Sequence, residues 1–322
     1  MSNGLTSDEV VTVVSAAVLA PSVLNTQPWR FRARDDVIEV WADADRGLTR
    51  LDPQGRELLI SCGAALFNLR LSIAVLGRAT VTRILPDPDQ PTLVAQVRVG
   101  GPSRATARER RLHEVIPTRR ASRHPFERAD IPPDVLTAIQ EAAHVEGARL
   151  ERPPTWHGSA LGGLVRDAER HQRDDPAVAA DVRAWTGDQA PPGAGIPSDR
   201  LGPKSTDPTA LVRDFSMGAH VDGRESADFT VEGVFLVLLT DHDAGEDRVR
   251  AGQALERAWL EATTEGVSTT LLSQPTEVPA LRPWLRDPTT AWGVPQLLLR
   301  LGYGPVPAPT DRRDLSEVLD LA

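Results

Sequence analysis

The sequence predicts an α+β fold assembled from two related units in one chain, and three observations lead there. The composition is that of an ordinary globular protein, with 40% apolar and 25% charged residues over 322 positions. Helical and strand periodicities alternate along the chain. The order of elements then recurs in the second half. At ~100 to 200 residues per domain the length accommodates two units, expected at 1–105 and 106–322.

Ser7 to Ala20 is predicted as a helix: a capping residue and acids come first, and apolar side chains follow at 10, 13, 14, 17 and 18. The turn APSVLNTQPW comes next, then alternating strands at 29–34 and 37–42. Beyond a loop at 52–55, Arg56 to Leu76 reads as a long helix, too rich in small residues to lie on a surface. Strands at 79–85 and 92–99 complete the first unit.

The repeat can be checked by position. An offset of 126 places Val10, Val13, Ala16 and Ala17 on Leu136, Ile139, Ala142 and Ala143. An offset of 189 places Gly63, Ala65, Leu66, Leu71 and Gly77 on Gly252, Ala254, Leu255, Leu260 and Gly266. The growth of the offset implies an insertion in the second unit, placed at 186–224, which is rich in Gly, Pro and Asp. Unstructured connections longer than ~12 to 15 residues are commonly functional lids or disordered, and no internal order is predicted for this one. A strand is expected after it at 229–239.

Charge and residue usage narrow the function. A net charge of −9 disfavours a nucleic-acid surface, which needs a basic face. A single cysteine, Cys62, excludes a disulfide framework and cysteine-rich metal sites, and none of the seven histidines is paired at metal-binding spacing. No apolar run reaches the ~18 residues needed to span a bilayer, and the acidic N-terminus does not suit a secretory signal. A cytoplasmic protein with small-molecule partners is expected. Lys204, the only lysine, sits in GPKST, a faint echo of a phosphate loop that reads as a solvated lysine. HGSALG at 157–162 misses the spacing of a nucleophile elbow, and GAGIP at 193–197 fails the dinucleotide fingerprint.

Three segments carry chemistry. APSVLNTQPW holds Asn25, one of three asparagines, whose amide both donates and accepts. The stretch 104–128 holds eight arginines against three acids, and Arg119, Arg120, Ser122 and Arg123 within TRRASRHPF suit a phosphate monoester. The C-terminal LGYG runs through a proline-stiffened arm into Arg312 and Arg313.

In this combination the chain resembles the FMN-dependent nitroreductase superfamily, and most closely its Acg-type actinobacterial branch, in which two nitroreductase-like units are fused. The resemblance covers essentially the whole chain apart from parts of the insertion. It implies a nitroreductase-like fold, an intramolecular pseudo-dimer that is a monomer in solution, and FMN at the interface. The first half has the APSxxNxQPW turn but no arginine element. The second has TRRASRHPF but reads VEGARLERPPTW where the turn would fall, so a single complete site is implied. Its phosphate ligands would be Arg119, Arg120, Ser122, Arg123, Arg312 and Arg313, with either Arg119 or Arg120 facing the phosphate. Pro21, Ser22, Asn25 and Gln27 would contact the ring, and the segment 268–274, with Ser273 and Gln274, would approach flavin N5. The implied activity is hydride transfer from NAD(P)H through FMN to a small-molecule electron acceptor. The alternative is a flavin-sequestering protein with little turnover, and the insertion would be the lid that decides between them.

Overall fold

The computed structural model describes residues 4–153, 158–207, 210–230, 233–286 and 292–321. Helix α1 (Ser7–Ala17) starts at Thr6, whose side chain accepts from the Glu9 amide while the Glu9 carboxylate accepts from the Thr6 amide. This reciprocal cap satisfies two of the amide donors that a helix start leaves free. Strands β1 (Trp29–Arg34) and β2 (Val37–Ala42) fall where the alternation predicts. Helix α2 (Arg56–Val75) is capped by Asp52, whose carboxylate accepts from the amides of Arg56 and Leu58. Strands β3 (Arg78–Ile84) and β4 (Leu93–Pro102) follow.

The second half begins with α3 (Ala107–Val115), α4 (Pro133–Val145) and β5 (Arg149–Glu151). Two helices then occur, α5 (Gly158–Asp174) and α6 (Pro176–Ala184). The described residues of the insertion form turns, short 3-10 helices at Gly187–Gln189 and Ser198–Arg200, and strand β6 (Lys204–Ser205), which pairs in parallel with β7 (Ser226–Ala227) just beyond it. Strand β8 (Val234–Thr240) starts five residues later than expected. Helix α7 (Gly245–Thr264), β9 (Ser268–Leu271), α8 (Gln274–Glu277), β10 (Val294–Gly302), α9 (Leu315–Val318) and β11 (Leu319–Leu321) complete the chain.

One sheet has the order β11-β1-β2-β4-β3, antiparallel except where β11 joins β1; the other runs β5-β8-β10-β9. Side chains of α1 and α2 pack on the first sheet, and those of α4 and α7 on the second. Helix α5 adds Leu161 and Val165 to a further cluster with Val237 and Leu298. Burial of β8 and β10 from both faces explains their near-continuous apolar runs, which lack alternation.

The two layers meet where α2 crosses α7, and the contact is reciprocal. A Cβ on Gly63 would lie 2.2 Å from the Val249 carbonyl oxygen, and one on Gly252 would lie 2.0 Å from that of Ile60. Gly63 and Gly252, like Ile60 and Val249, are separated by the repeat offset of 189. Ile60 of α2 packs into the second core, while Val249 of α7 packs into the first. Residue i touching j′ while j touches i′ is what an approximate two-fold axis requires. It also explains why α2 is apolar all round: both of its faces are covered. Helix α2 is the one described helix long and apolar enough to cross a membrane, and its most apolar window is 72% buried within the protein.

One strand of the second unit joins the sheet of the first. Strand β11, from the far end of the second unit, pairs in parallel with β1 of the first. The insertion is also more ordered than its composition suggests. Ile196, Leu201 and Met217 pack with Ala179 and Val182 of α6 and with Leu24, Leu48 and Leu51 of the first unit.

Candidate functional site

The turn after α1 is tightly wound: Leu24, Asn25 and Gln27 all have positive φ (46°, 55° and 52°), a conformation that Asn tolerates and Leu and Gln rarely adopt. Hydrogen bonds hold it there. Ser22 Oγ accepts from the Gln27 amide at 2.9 Å. Asn25 Nδ2 donates to the carbonyls of Gly195 (2.9 Å) and Asp311 (3.2 Å), while its Oδ1 accepts from Arg312 Nη1 at 3.2 Å. The amide's double capacity thus joins three segments that are remote in sequence. Gly195 is needed at this approach, because it has φ of +72° and a Cβ there would lie 2.6 Å from the Trp185 carbonyl oxygen.

The arginine segment is pinned to β9. The Ser122 amide donates to Thr269 O, and Thr270 Oγ1 donates to Ser122 O, both at 2.8 Å. This register sets the segment beside Ser273, just beyond β9. Pro21, Ser22 and Asn25, then Arg119, Arg120, Ser122 and Arg123, then Ser273 and Arg312 all line one cavity of about 100 Å³. Nine of the twelve nominated residues therefore converge.

Three do not line it, and each has another physical task. Gln27 is fully buried, donating to Gly193 O at 2.8 Å and accepting from the Arg313 amide at 2.9 Å. Arg313 turns toward the first sheet, donating to Gln27 O at 3.1 Å and pairing with Asp43 at 3.3 Å. Gln274 is fully buried and donates to Glu169 at 2.8 Å. Of the C-terminal basic pair, only Arg312 faces the cavity.

Charge distinguishes the remaining arginines. Arg119 is buried, lies 3.3 Å from the buried Glu256 and stacks over Trp259 at 4.5 Å. Arg213 is buried in a two-pronged pair with Glu277 at 2.8 and 3.0 Å. Arg120, Arg123 and Arg312 pair with no carboxylate among the described residues. Burial, and then repulsion from Arg119 and Arg120, pushes Arg312 down to about 9. Burial and then Arg213 push Arg123 down to about 10, and burial and then Arg119 lower Arg120. Since a guanidinium stays protonated at neutral pH, these shifts report cations that are desolvated and set close to other cations. Arg123 Nε is buried and has no hydrogen-bond partner. No carboxylate, histidine or cysteine is among the described residues lining the cavity, so its hydroxyls have no base that would make them nucleophiles.

The insertion supplies Ile196, Arg213 and Phe215 to the walls, and Ala308 and Thr310 come from the C-terminal arm. Phe215 lies between two guanidiniums, 5.1 Å from Arg123 and 5.2 Å from Arg213. Arg213 Nη1 donates to Ser273 Oγ at 2.7 Å. Sequence reading missed Arg213 and Trp259. Arg213 has no counterpart in the first unit to draw attention to it, and Trp259 reads as one more apolar residue of a core helix. Other motifs carry less. Cys62 is buried, donates to Pro28 O, and has its thiol pushed up by burial; no metal-binding cluster occurs among the described residues. His157 of HGSALG lies outside the described residues.

No protein-family model matches the chain. It is 33% identical over 319 residues to "Uncharacterized protein Rv3127" of Mycobacterium tuberculosis, covering 96% of this chain and 92% of that one. It is 30% identical over 322 residues to "Putative NAD(P)H nitroreductase acg" of the same organism, covering 98% and 96%. A solved nitroreductase with bound FMN from Desulfitobacterium hafniense aligns at 15% identity and a TM-score of 0.40, covering 65% of this chain and 96% of that one. Matches running nearly end to end, through both units and the insertion within the second, place this chain in the nitroreductase superfamily, within its Acg-type branch.

Proposed function

We propose that the chain is an FMN-dependent oxidoreductase that passes two electrons from NAD(P)H to a small-molecule acceptor. The observation that carries this reading is the group of three carboxylate-free guanidiniums, Arg120, Arg123 and Arg312, at one cavity. A phosphate monoester carries nearly two negative charges and three acceptor oxygens, the complement that this donor set lacks. Ser122 and the orphaned Arg123 Nε add donors. Arg119, already neutralised by Glu256, supports the site from behind, and Arg120 is the member of the pair assigned to the phosphate. FMN supplies the hydride chemistry when bound. The chain's own residues grip the phosphate, close one wall with the 22–25 turn, and hold Ser273 in place through Arg213.

A cavity of about 100 Å³ is smaller than the ~300 to 1,000 Å³ of sites that enclose ligands of this class. Ile196, Phe215 and Ala308 must therefore shift outward as the ring enters. That observation favours the second reading, in which FMN is retained with little turnover. Anaerobic mixing of the flavin-loaded protein with NADPH or NADH separates the two. Bleaching faster than flavin release supports the oxidoreductase, and an oxidised flavin that only a chemical reductant bleaches supports retention. For the cofactor itself, FMN should bind at least tenfold tighter than riboflavin by calorimetry; equal affinities would overturn the phosphate assignment.

A further inference from the structure

A cavity of about 520 Å³ lies apart from the one assigned to FMN, and no described residue lines both. Its volume falls within the ~300 to 1,000 Å³ of cavities that enclose small organic ligands. One wall is the loop 50–56 that leads into α2, the second is the corner between α5 and α6, and the third comes from 276–286 and 293–295. These walls are tied to one another. Asp181 of α6 accepts from the amides of Arg50 at 2.7 Å and Leu51 at 3.2 Å, and Arg282 Nε donates to Pro295 O at 2.6 Å. Pro53, Pro279, Pro283 and Pro295, with Val178 and Val294, supply apolar surface. Proline has no side-chain rotamers to lose, so holding this surface ready costs little entropy.

The polar lining is charged, and most of it is committed. Asp52 caps α2, and Asp175 caps α6 by accepting from the amides of Ala177 and Val178. Asp243 is held by Arg282 at 2.8 and 2.9 Å, and Glu277 by Arg213 at 2.8 and 3.0 Å. Arg56 donates to Glu57 at 2.8 Å and to Thr276 at 3.2 Å. Arg50 of the first unit and Arg286 of the second remain. Both are exposed, and neither pairs with a carboxylate among the described residues. The cavity therefore offers an apolar body with uncommitted guanidiniums at its mouth.

We propose that this cavity binds an organic monocarboxylate with a rigid apolar body, of the aryl carboxylate class. Guanidinium forks match a carboxylate, and a ligand without torsions to freeze suits walls that are already fixed. A phosphate ester suits the site less well. Four lining carboxylates repel a dianion more strongly than a monoanion, and Asp52 and Asp175 already occupy the helix-start amides that would grip a phosphate. The site is independent of the flavin assignment, because the two cavities share no lining residue.

The test uses the full chain in excess FMN, with 2-naphthoate as the probe. Its uncharged counterpart 2-naphthylmethanol and the dianionic 2-naphthyl phosphate are titrated beside it by calorimetry, into the parent, R50E/R286E and R50K/R286K. The parent should bind the carboxylate at least tenfold tighter than the alcohol. Charge reversal should abolish that advantage, and the lysine variant should keep most of it. Val178→Trp, which fills the cavity without changing its charge, should weaken carboxylate and alcohol alike by at least tenfold. Flavin content should be the same throughout, with thermal unfolding to show that each variant is folded. A parent that does not bind naphthoate, equal affinities for acid and alcohol, a preference that survives charge reversal, or tighter binding of the phosphate ester overturns the proposal. So does parent-like binding by folded Val178→Trp, which would place the probe elsewhere. If that variant does not fold, the two charge variants decide. A chain that holds no FMN defeats the cofactor reading, yet the same titrations still report on this cavity, since every substituted residue lies outside the flavin site.

Discussion

At the scale of single residues, the two members of the C-terminal basic pair should fail in different ways. Arg312 reaches the cavity and Arg313 does not. On the proposed assignment, Arg312→Ala or Arg120→Ala would remove a charge-assisted partner of the phosphate, worth ~1.5 to 3 kcal/mol, or about tenfold to a hundredfold in affinity. Such a variant should fold and purify with little flavin. Arg313→Ala instead leaves Asp43 buried and bonded only by Arg30. Loss of one partner of a buried pair costs ~3 to 5 kcal/mol, so the expected result is a lower melting temperature even in excess FMN. Flavin content and thermal unfolding, measured on both variants, check the assignment; the same phenotype in both would refute it.

A pH prediction belongs at the same scale. Burial alone would raise Asp243, but hydrogen bonds from Arg282, Arg248 and Gln296 outweigh it and hold the carboxyl well below the usual range. A folded value below the unfolded one means that the contribution is complete above about pH 4. It is lost as pH falls toward the folded value. Asp243→Asn should therefore lower stability near neutrality and flatten the acid limb of the stability curve. An acid limb identical to the parent's would show that this cluster adds nothing.

Among elements, the crossing of α2 and α7 admits no side chain at Gly63 or Gly252, because the obstacle in each case is backbone. Gly63→Ala or Gly252→Ala must separate the helices, at a cost of ~1 to 3 kcal/mol or more. Reciprocity at the crossing predicts similar losses for the two, read by denaturant midpoint; a neutral substitution at either would remove the argument. The insertion needs a revised expectation. Its sequence suggests that 187–206 could be shortened without harm to the phosphate grip. In the structure, Gly193 and Gly195 hold the 22–25 turn through Gln27 and Asn25, and Ile196 and Leu201 pack on Leu24 and Leu48. Shortening it should cost stability as well as flavin. A milder probe is Phe215→Ala, which opens the roof and leaves those bonds alone; flavin release should accelerate at least several-fold, measured by capture of freed FMN.

For the whole molecule, the fused architecture predicts one FMN per chain and a monomer. The interface between the units already lies inside the chain, where α2 packs on α7. Released flavin measured against protein concentration, together with sedimentation, tests both parts. Because β11 belongs to the first sheet while Arg312 sits just before it, truncation after Thr310 should remove flavin binding and destabilise the first unit together.

The sequence alone determined the parts with a local cause. Alternation fixed β1 and β2, a capping residue followed by acids fixed the start of α1, and the offset of 189 identified α2 and α7 as counterparts. It also named nine residues that share one cavity, because the turn, the arginine segment and the terminal arm each keep a recognisable local form. What only the tertiary structure decided depends on partners distant in the chain. Glu256, far along in sequence, lies 3.3 Å from Arg119, whereas Arg120 meets no carboxylate among the described residues. Asp43 draws Arg313 away from the cavity. Asn25 and Gln27 give the insertion an order that its own composition does not encode. Periodicity and spacing report how a segment meets its immediate surroundings; which charge is already compensated is settled only when remote segments pack together.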